Sequence, residues 1–272
     1  MKERIKLLTC LYLLFLLMLS FSGMTEGWVS ELIYYLSFIL PVAVGLIYAR
    51  SRGYVQGGEL TLFRIKGGDV SQFLALTVPT LVLVMLTSQL TAWLITSLTG
   101  ATNEVVLSGG IWLSILEHAL VPALLEELLF RYLPLRMIPK REARLLILLS
   151  SLFFAFAHTS LFSIPYALLA GVVYISVDLM TDSIIPSLVM HFVNNLVSVL
   201  LIYYNGNNDA KIAVFVTFGL LFTLSLGYLA VCGKKICVRI REMISDSVPI
   251  TLTPHILLFI IPALLVAVLG LF

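Results

Sequence analysis

Charge is what this sequence has least of. Asp, Glu, Lys and Arg make up 12% of its 272 residues, about half the share usual in soluble domains. Hydrophobic residues make up 60%, against about 45–50% in soluble proteins. A soluble chain of this length covers its surface with polar side chains, and too few are present. That shortage excludes a soluble globular enzyme, a nucleic-acid-binding module and a disordered regulator. Cysteine is scarce as well. Cys10, Cys232 and Cys237 are odd in number and match neither a zinc-module spacing nor a disulfide framework. Internal repeats, low-complexity segments and alternating strand patterns are missing, and the last absence speaks against a β-barrel.

What the chain does have is apolar runs long enough to cross a bilayer as helices. Nine candidates run over Leu7–Phe21, Trp28–Ala49, Phe73–Leu98, Ile111–Leu135, Ala143–His158, Ile164–Met180, Ile184–Tyr204, Ile212–Cys232 and His255–Phe272. The predicted fold is therefore all-α: a polytopic transmembrane helical bundle of about 8–9 spans, forming a single domain over residues 1–272 in the cell membrane. The basic start followed by the first apolar run resembles a signal peptide, but Ser20–Met24 makes a poor cleavage site, which favours a retained helix. The stretch Gly57–Asp69 is more polar. Its Leu60, Leu62, Phe63 and Ile65 suit either a surface-lying segment or an ordered loop.

Basic residues in short loops mark the cytoplasmic side. With the N-terminus inside, Lys2, Arg4 and Lys6 share that side with Arg50, Arg52, Arg64 and Lys66, with Arg136, Lys140, Arg141 and Arg144, and with Lys234, Lys235, Arg239 and Arg241. Fifteen of the 17 basic residues then lie inside. Lys211 is left on the other side, and Arg131 falls within a span. The asymmetry predicts a cytoplasmic N-terminus.

Ionisable groups inside apolar helices are costly and usually face the bundle interior. In Leu125–Arg131, Glu127 and Arg131 are four apart, share a face and can pair. Glu126 is turned about 100° from Glu127 and has no partner on its own helix. An unpaired buried carboxylate suits proton transfer. Phe154 and His158 are also four apart on one face, as are His191 and Asn195. A histidine and an asparagine so aligned can form interhelical hydrogen bonds or donate to an oxyanion. Asp178 and Asp182 read as a solvated helix end. Glu117 and His118 are expected to lie outside the site, since Glu117 is nine positions before Glu126 and points the other way. His255 reads as interfacial. Depths counted from the helix ends at about 1.5 Å per residue overlap loosely and permit one shared buried site.

Taken in order, the three clusters resemble the CPBP family of intramembrane proteases, also called the Abi or type II CAAX-processing protease family. Its motifs read here as Glu126-Glu127-x-x-x-Arg131, Phe154-x-x-x-His158 and His191-x-x-x-Asn195. The match covers about residues 115–200, the expected catalytic core. Each motif alone is weak, whereas all three in order within apolar helices are specific. The resemblance implies an endopeptidase in which Glu126 and His158 activate a water. It implies that His191 and Asn195 stabilise the oxyanion, and it leaves Glu127 and Arg131 as structural support.

Glutamate-dependent hydrolysis is the leading expectation. Hydrolysis assisted by a divalent metal such as zinc is the runner-up, with Glu126, His158 and His191 as its ligands. No His-Glu-x-x-His sequence is present. The expected partners are membrane lipid and a peptide or membrane-anchored protein substrate, CAAX-like and prenylated in eukaryotic members, with no nucleic acid. Access to the site is expected from the cytoplasm or sideways from the lipid, because the motif helix runs on into a basic loop. Two other functions compete: a proton-coupled transporter, which the absence of repeated halves disfavours, and a non-catalytic bacteriocin self-immunity protein of the same fold, which a complete motif set disfavours.

Overall fold

The computed structural model describes residues 1–54, 67–102, 107, 109–249 and 257–269. Among them there is no strand, and nine helical rods follow one another along the chain. They are α1 (Lys2–Gly23), α2 (Gly27–Ser51), α3 (Gly67–Thr99), α4 (111–137), α5 (Ala143–Ala157), α6 (Ile164–Thr181), α7 (Ile185–Tyr203), α8 (Asn208–Ser245) and α9 (Leu257–Leu269). Each expected span falls on one of these rods. Six helices are long and apolar enough to cross a membrane: α1, α2, Asp69–Thr99 of α3, α6, α7 and α8. The fold is thus an all-helical, polytopic bundle. The stretch Gly57–Asp69 lies largely, and His255 wholly, outside the described residues.

Large apolar side chains remain exposed on its outside, among them Trp28, Trp93, Trp112, Leu224 and Val231. In water such a surface would be a liability, whereas in lipid it is the expected exterior. The interior is built from helical stripes. On α1, Ile5, Leu8, Tyr12 and Phe15 recur at three- and four-residue spacing and are all buried, which is the pattern of one inward face. Tyr12 and Phe15 both pack against Phe130 of α4. Between α5 and α6 the contact is backbone-close. A Cβ added at Gly171 would sit 3.0 Å from Cα of Ser151, so only glycine admits this approach.

α4 is one rod with two irregularities. Its α-helical turns are interrupted by π-turns at Leu116–Leu120 and Leu128–Tyr132. Pro122 and Pro134 follow these turns, and each lacks the N–H that a regular helix needs. Carbonyls released in this way need other donors. Phe130, four residues before Pro134, accepts from the Ser150 hydroxyl at 2.6 Å, and Leu129 accepts from the Tyr12 hydroxyl at 3.3 Å. The second π-turn is therefore held open by side chains from α1 and α5.

One end of the bundle gathers the basic residues. Arg4 donates to the Met137 carbonyl at 2.6 Å. Arg239 reaches Asp69, Gln72 and the Met180 carbonyl. Arg144 reaches the Ile244 carbonyl, and Lys140 pairs with Asp182. The starts of α1, α3, α5 and α7 thereby meet the ends of α4, α6 and α8, as antiparallel crossings require. α8 is longer than its apolar run. It continues past Cys232 to Ser245, so the basic stretch Lys234–Arg241 is helix rather than loop. Its 38 residues span about 57 Å, nearly twice the hydrocarbon thickness.

Candidate active site

Four helices bring the three motifs to one place. α4 carries Glu126, Glu127 and Arg131; the end of α5 carries Phe154 and His158; α7 carries His191 and Asn195; and α6 closes the site with Tyr166 and Tyr174. Glu126, His158, His191 and Asn195 all line one cavity of about 720 Å³. Phe154, Tyr166, Tyr174 and Asn194 line it too.

The two glutamates diverge, as their 100° separation on a helix requires. Glu127 turns into protein and is 1% exposed. Its Oε1 lies 3.2 Å from Nη1 of Arg131 and accepts a hydrogen bond from Nδ1 of His191 at 2.8 Å. A carboxylate is the natural acceptor here, so Nδ1 of the histidine carries a proton and Nε2 is turned toward the cavity. Glu126 takes the cavity side. Its Oε2 is buried, lies 3.8 Å from Nε2 of His191, and has no hydrogen-bond partner among the described residues. Arg131 was expected to pair with Glu127 and does. The further link from Glu127 to His191, on a helix 64 positions away, is what the sequence did not reveal.

Arg131 is fully buried, a costly placement for a cation. Its guanidinium lies 4.0 Å from the centre of the Phe154 ring and 5.5 Å from that of Tyr174. Both are cation–π contacts, strongest where water is excluded. Phe154 is thus the hub of the site. It stands edge-on to His158 and to His191, with ring centres 4.9 and 5.4 Å away. A phenylalanine four before the histidine is therefore more than filler, because it fixes a cation and two imidazoles.

His158 caps the C-terminal end of α5, and the chain then leaves through Thr159 in the left-handed region, φ +48°. Nδ1 of His158 bonds the Phe154 carbonyl at 2.9 Å. A carbonyl can only accept, so Nδ1 carries the proton and Nε2 keeps its lone pair. Asn195 accepts from Nδ2 of Asn194 at 3.4 Å, which leaves its own amide N–H groups free to donate.

Tyr166 and Tyr174 were not singled out from the sequence. They are eight apart on α6, with Ala170 between them on the same face, and this stripe of two hydroxyls in an apolar helix was the available signal. Tyr174 lies 5.7 Å from His191, and Tyr166 lies 6.3 Å from His158.

Three expectations are corrected. Asp178 is not a solvated helix end: it is 1% exposed, and its Oδ1 accepts the Ser187 N–H at 3.1 Å. It caps the first turn of α7, the helix that carries His191. His118 is not remote from the site but lines the cavity. The π-turn at Leu116–Leu120 inserts one residue, which turns the preceding helix by about 100° and brings His118 onto the Glu126 face. Finally, of the two expected routes of access, from the cytoplasm or sideways from the lipid, the cavity lining does not follow the one from the basic end. On that side Glu127, Arg131, Tyr174 and Asp178 seal its floor. Its walls instead run to Thr96 in the last turn of α3, Thr102 just after it, His118 in α4 and Ile202 in α7, all at the opposite end.

Metal ligation is poorly served. Among the described residues, no three His, Cys, Asp or Glu side chains come together closely enough to hold an ion. Glu126, His158 and His191 share the cavity without forming a ligand set.

Comparison with a family model covers the same region of the chain. Residues 108–197 match the family model described as type II CAAX prenyl endopeptidase Rce1-like. No curated protein and no solved structure matches the chain. The matched third of the sequence contains every residue of the three motifs. Over residues 108–197, then, this chain is similar to the type II CAAX prenyl endopeptidase Rce1-like family.

Proposed function

We propose that this protein is an intramembrane endopeptidase that hydrolyses a peptide bond with a water activated by Glu126 and His158. The observation that carries the reading is the buried Oε2 of Glu126, without a hydrogen bond among the described residues, in a cavity shared with His158, His191 and Asn195.

Glu126 and Nε2 of His158 are both acceptors and can hold the two protons of one water. Glu126 takes a proton as the water oxygen bonds to the scissile carbonyl carbon. The resulting oxyanion accepts hydrogen bonds from the amide of Asn195 and from Nε2 of His191 in its protonated form. Glu127, bonded to Nδ1 of His191, stabilises that imidazolium. With Arg131 also beside Glu127, two cations then balance two carboxylates. As the C–N bond breaks, Glu126 returns its proton to the leaving amine nitrogen. Preorganised donors of this kind usually supply the largest share of stabilisation, and the general base contributes about 10²–10⁴-fold.

The substrate belongs to the membrane. Its scissile segment has to enter a cavity in the bundle, so a peptide or membrane-anchored protein fits, as the family description of a prenyl endopeptidase also suggests. Cleavage in heavy-oxygen water tests the chemistry. Wild type is expected to place one ¹⁸O in each new carboxyl terminus, and Glu126→Gln is expected to give no product. Product from Glu126→Gln at the wild-type rate would overturn the proposal.

A further inference from the structure

Two features point in opposite directions along the bundle. Fifteen of the 17 basic residues belong to the segments assigned to one side, and Arg4, Lys140, Arg144 and Arg239 meet there in the folded chain. Lys and Arg in short loops stay on the cytoplasmic side. The cavity is sealed toward that end by Glu127, Arg131 and Asp178, each no more than 1% exposed. Exposure rises the other way, where Thr96, Thr102, His118, Ser198 and Ile202 all line the cavity and are exposed.

The lining carries a second message. Between Glu126 and the rim it alternates apolar side chains such as Val84, Met85 and Val199 with uncharged polar ones such as Ser88, Gln89 and Ser198. Lys and Arg are absent from the described lining. A free C-terminal carboxylate drawn in there would meet no strong counter-charge, and a buried unpaired charge is costly. An extended uncharged segment meets hydroxyls and amides for its backbone groups and apolar walls for its side chains.

We infer that the site is loaded from the non-cytoplasmic side, and that it takes an internal, uncharged, apolar segment of a membrane-anchored chain rather than a cytoplasmic C-terminal tail. This rests on the endopeptidase reading for its chemistry, but its sidedness does not depend on activity.

Thiol labelling tests it in intact cells. Thr102→Cys and Arg241→Cys are each treated with a membrane-impermeant maleimide. Signal is read as the increment over the unsubstituted chain, so Cys10, Cys232 and Cys237 stay in place. Thr102→Cys is expected to label in intact cells, and Arg241→Cys only after permeabilisation. Gly206→Cys and Lys235→Cys form a second pair should either variant fail to accumulate. Labelling of the Arg241 or Lys235 variant in intact cells, or of the Thr102 or Gly206 variant only after permeabilisation, overturns the sidedness. A competition arm reads the substrate class. A Leu- and Val-rich peptide, acetylated and amidated, is expected to shield Ser198→Cys from the reagent, and the same peptide with a free carboxylate is not. Equal shielding, or none by either, overturns the substrate class. Loss of cleavage activity alone bears on the endopeptidase reading and leaves the labelling result standing.

Discussion

Glu127 accepts a hydrogen bond from Nδ1 of His191 at 2.8 Å, across 64 residues of sequence. This one contact ties the first motif to the third. It turns Nε2 of the histidine toward Glu126, 3.8 Å away, so adjacent glutamates address the two nitrogens of one ring. The chemistry proposed above depends on that division, with Glu126 in the cavity and Glu127 behind the imidazole.

Glu127→Gln keeps the shape of the side chain and weakens both the bond to His191 and the pairing with Arg131. Loss of an orienting partner of this kind typically costs about 10–100-fold in activity. The expected outcome is a fall in kcat of that size with KM nearly unchanged, measured by steady-state kinetics once a substrate is in hand.

Arg131 is a buried cation with Glu127 as its ion-pair partner. Glu127→Leu alone leaves it uncompensated, which is expected to destabilise the protein by about 3–5 kcal/mol. The double variant Glu127→Leu with Arg131→Met removes both charges and is expected to recover most of that loss while staying inactive. Thermal unfolding in detergent gives the comparison.

Phe154→Leu removes the ring that Arg131 stacks on at 4.0 Å. A desolvated cation–π contact is worth about 2 kcal/mol, and His158 and His191 lose a shared neighbour. A lowered melting temperature is expected together with reduced turnover. Loss of turnover with unchanged melting would show that the ring acts on the histidines and not on the cation.

Asp178→Ala deletes the cap on the α7 first turn and is expected to cost about 1 kcal/mol, while Asp178→Asn, which keeps an acceptor for the Ser187 N–H, costs less. Melting curves of the two variants check the ranking.

Much of this arrangement was legible from spacing. Each of the nine apolar runs falls on a helix of the described residues, six of them long and apolar enough to cross a membrane, and the 100° step between Glu126 and Glu127 foretold which one would lack an ion pair on its own helix. What spacing cannot give is contact between distant helices. The bond from Glu127 to His191, the cap from Asp178 to Ser187 and the place of Tyr174 beside Arg131 all depend on how α4, α6 and α7 pack. His118 failed for a different reason. A wheel drawn at 100° per residue assumes an unbroken α-helix, and the π-turn before Pro122 shifts its phase. Of the two expected routes of access, the one from the basic end does not match the lining, because a basic loop after α4 says where the helix ends, not which end of the bundle is open.

The central claim is that Glu126 makes this protein a protease. Its most direct test expresses wild type and Glu126→Gln at matched levels in one host and maps new termini on membrane-associated peptides by mass spectrometry, before and after chelator treatment of isolated membranes. The account predicts cleavage products with wild type that persist under chelation and vanish with Glu126→Gln. The same products from Glu126→Gln would contradict it.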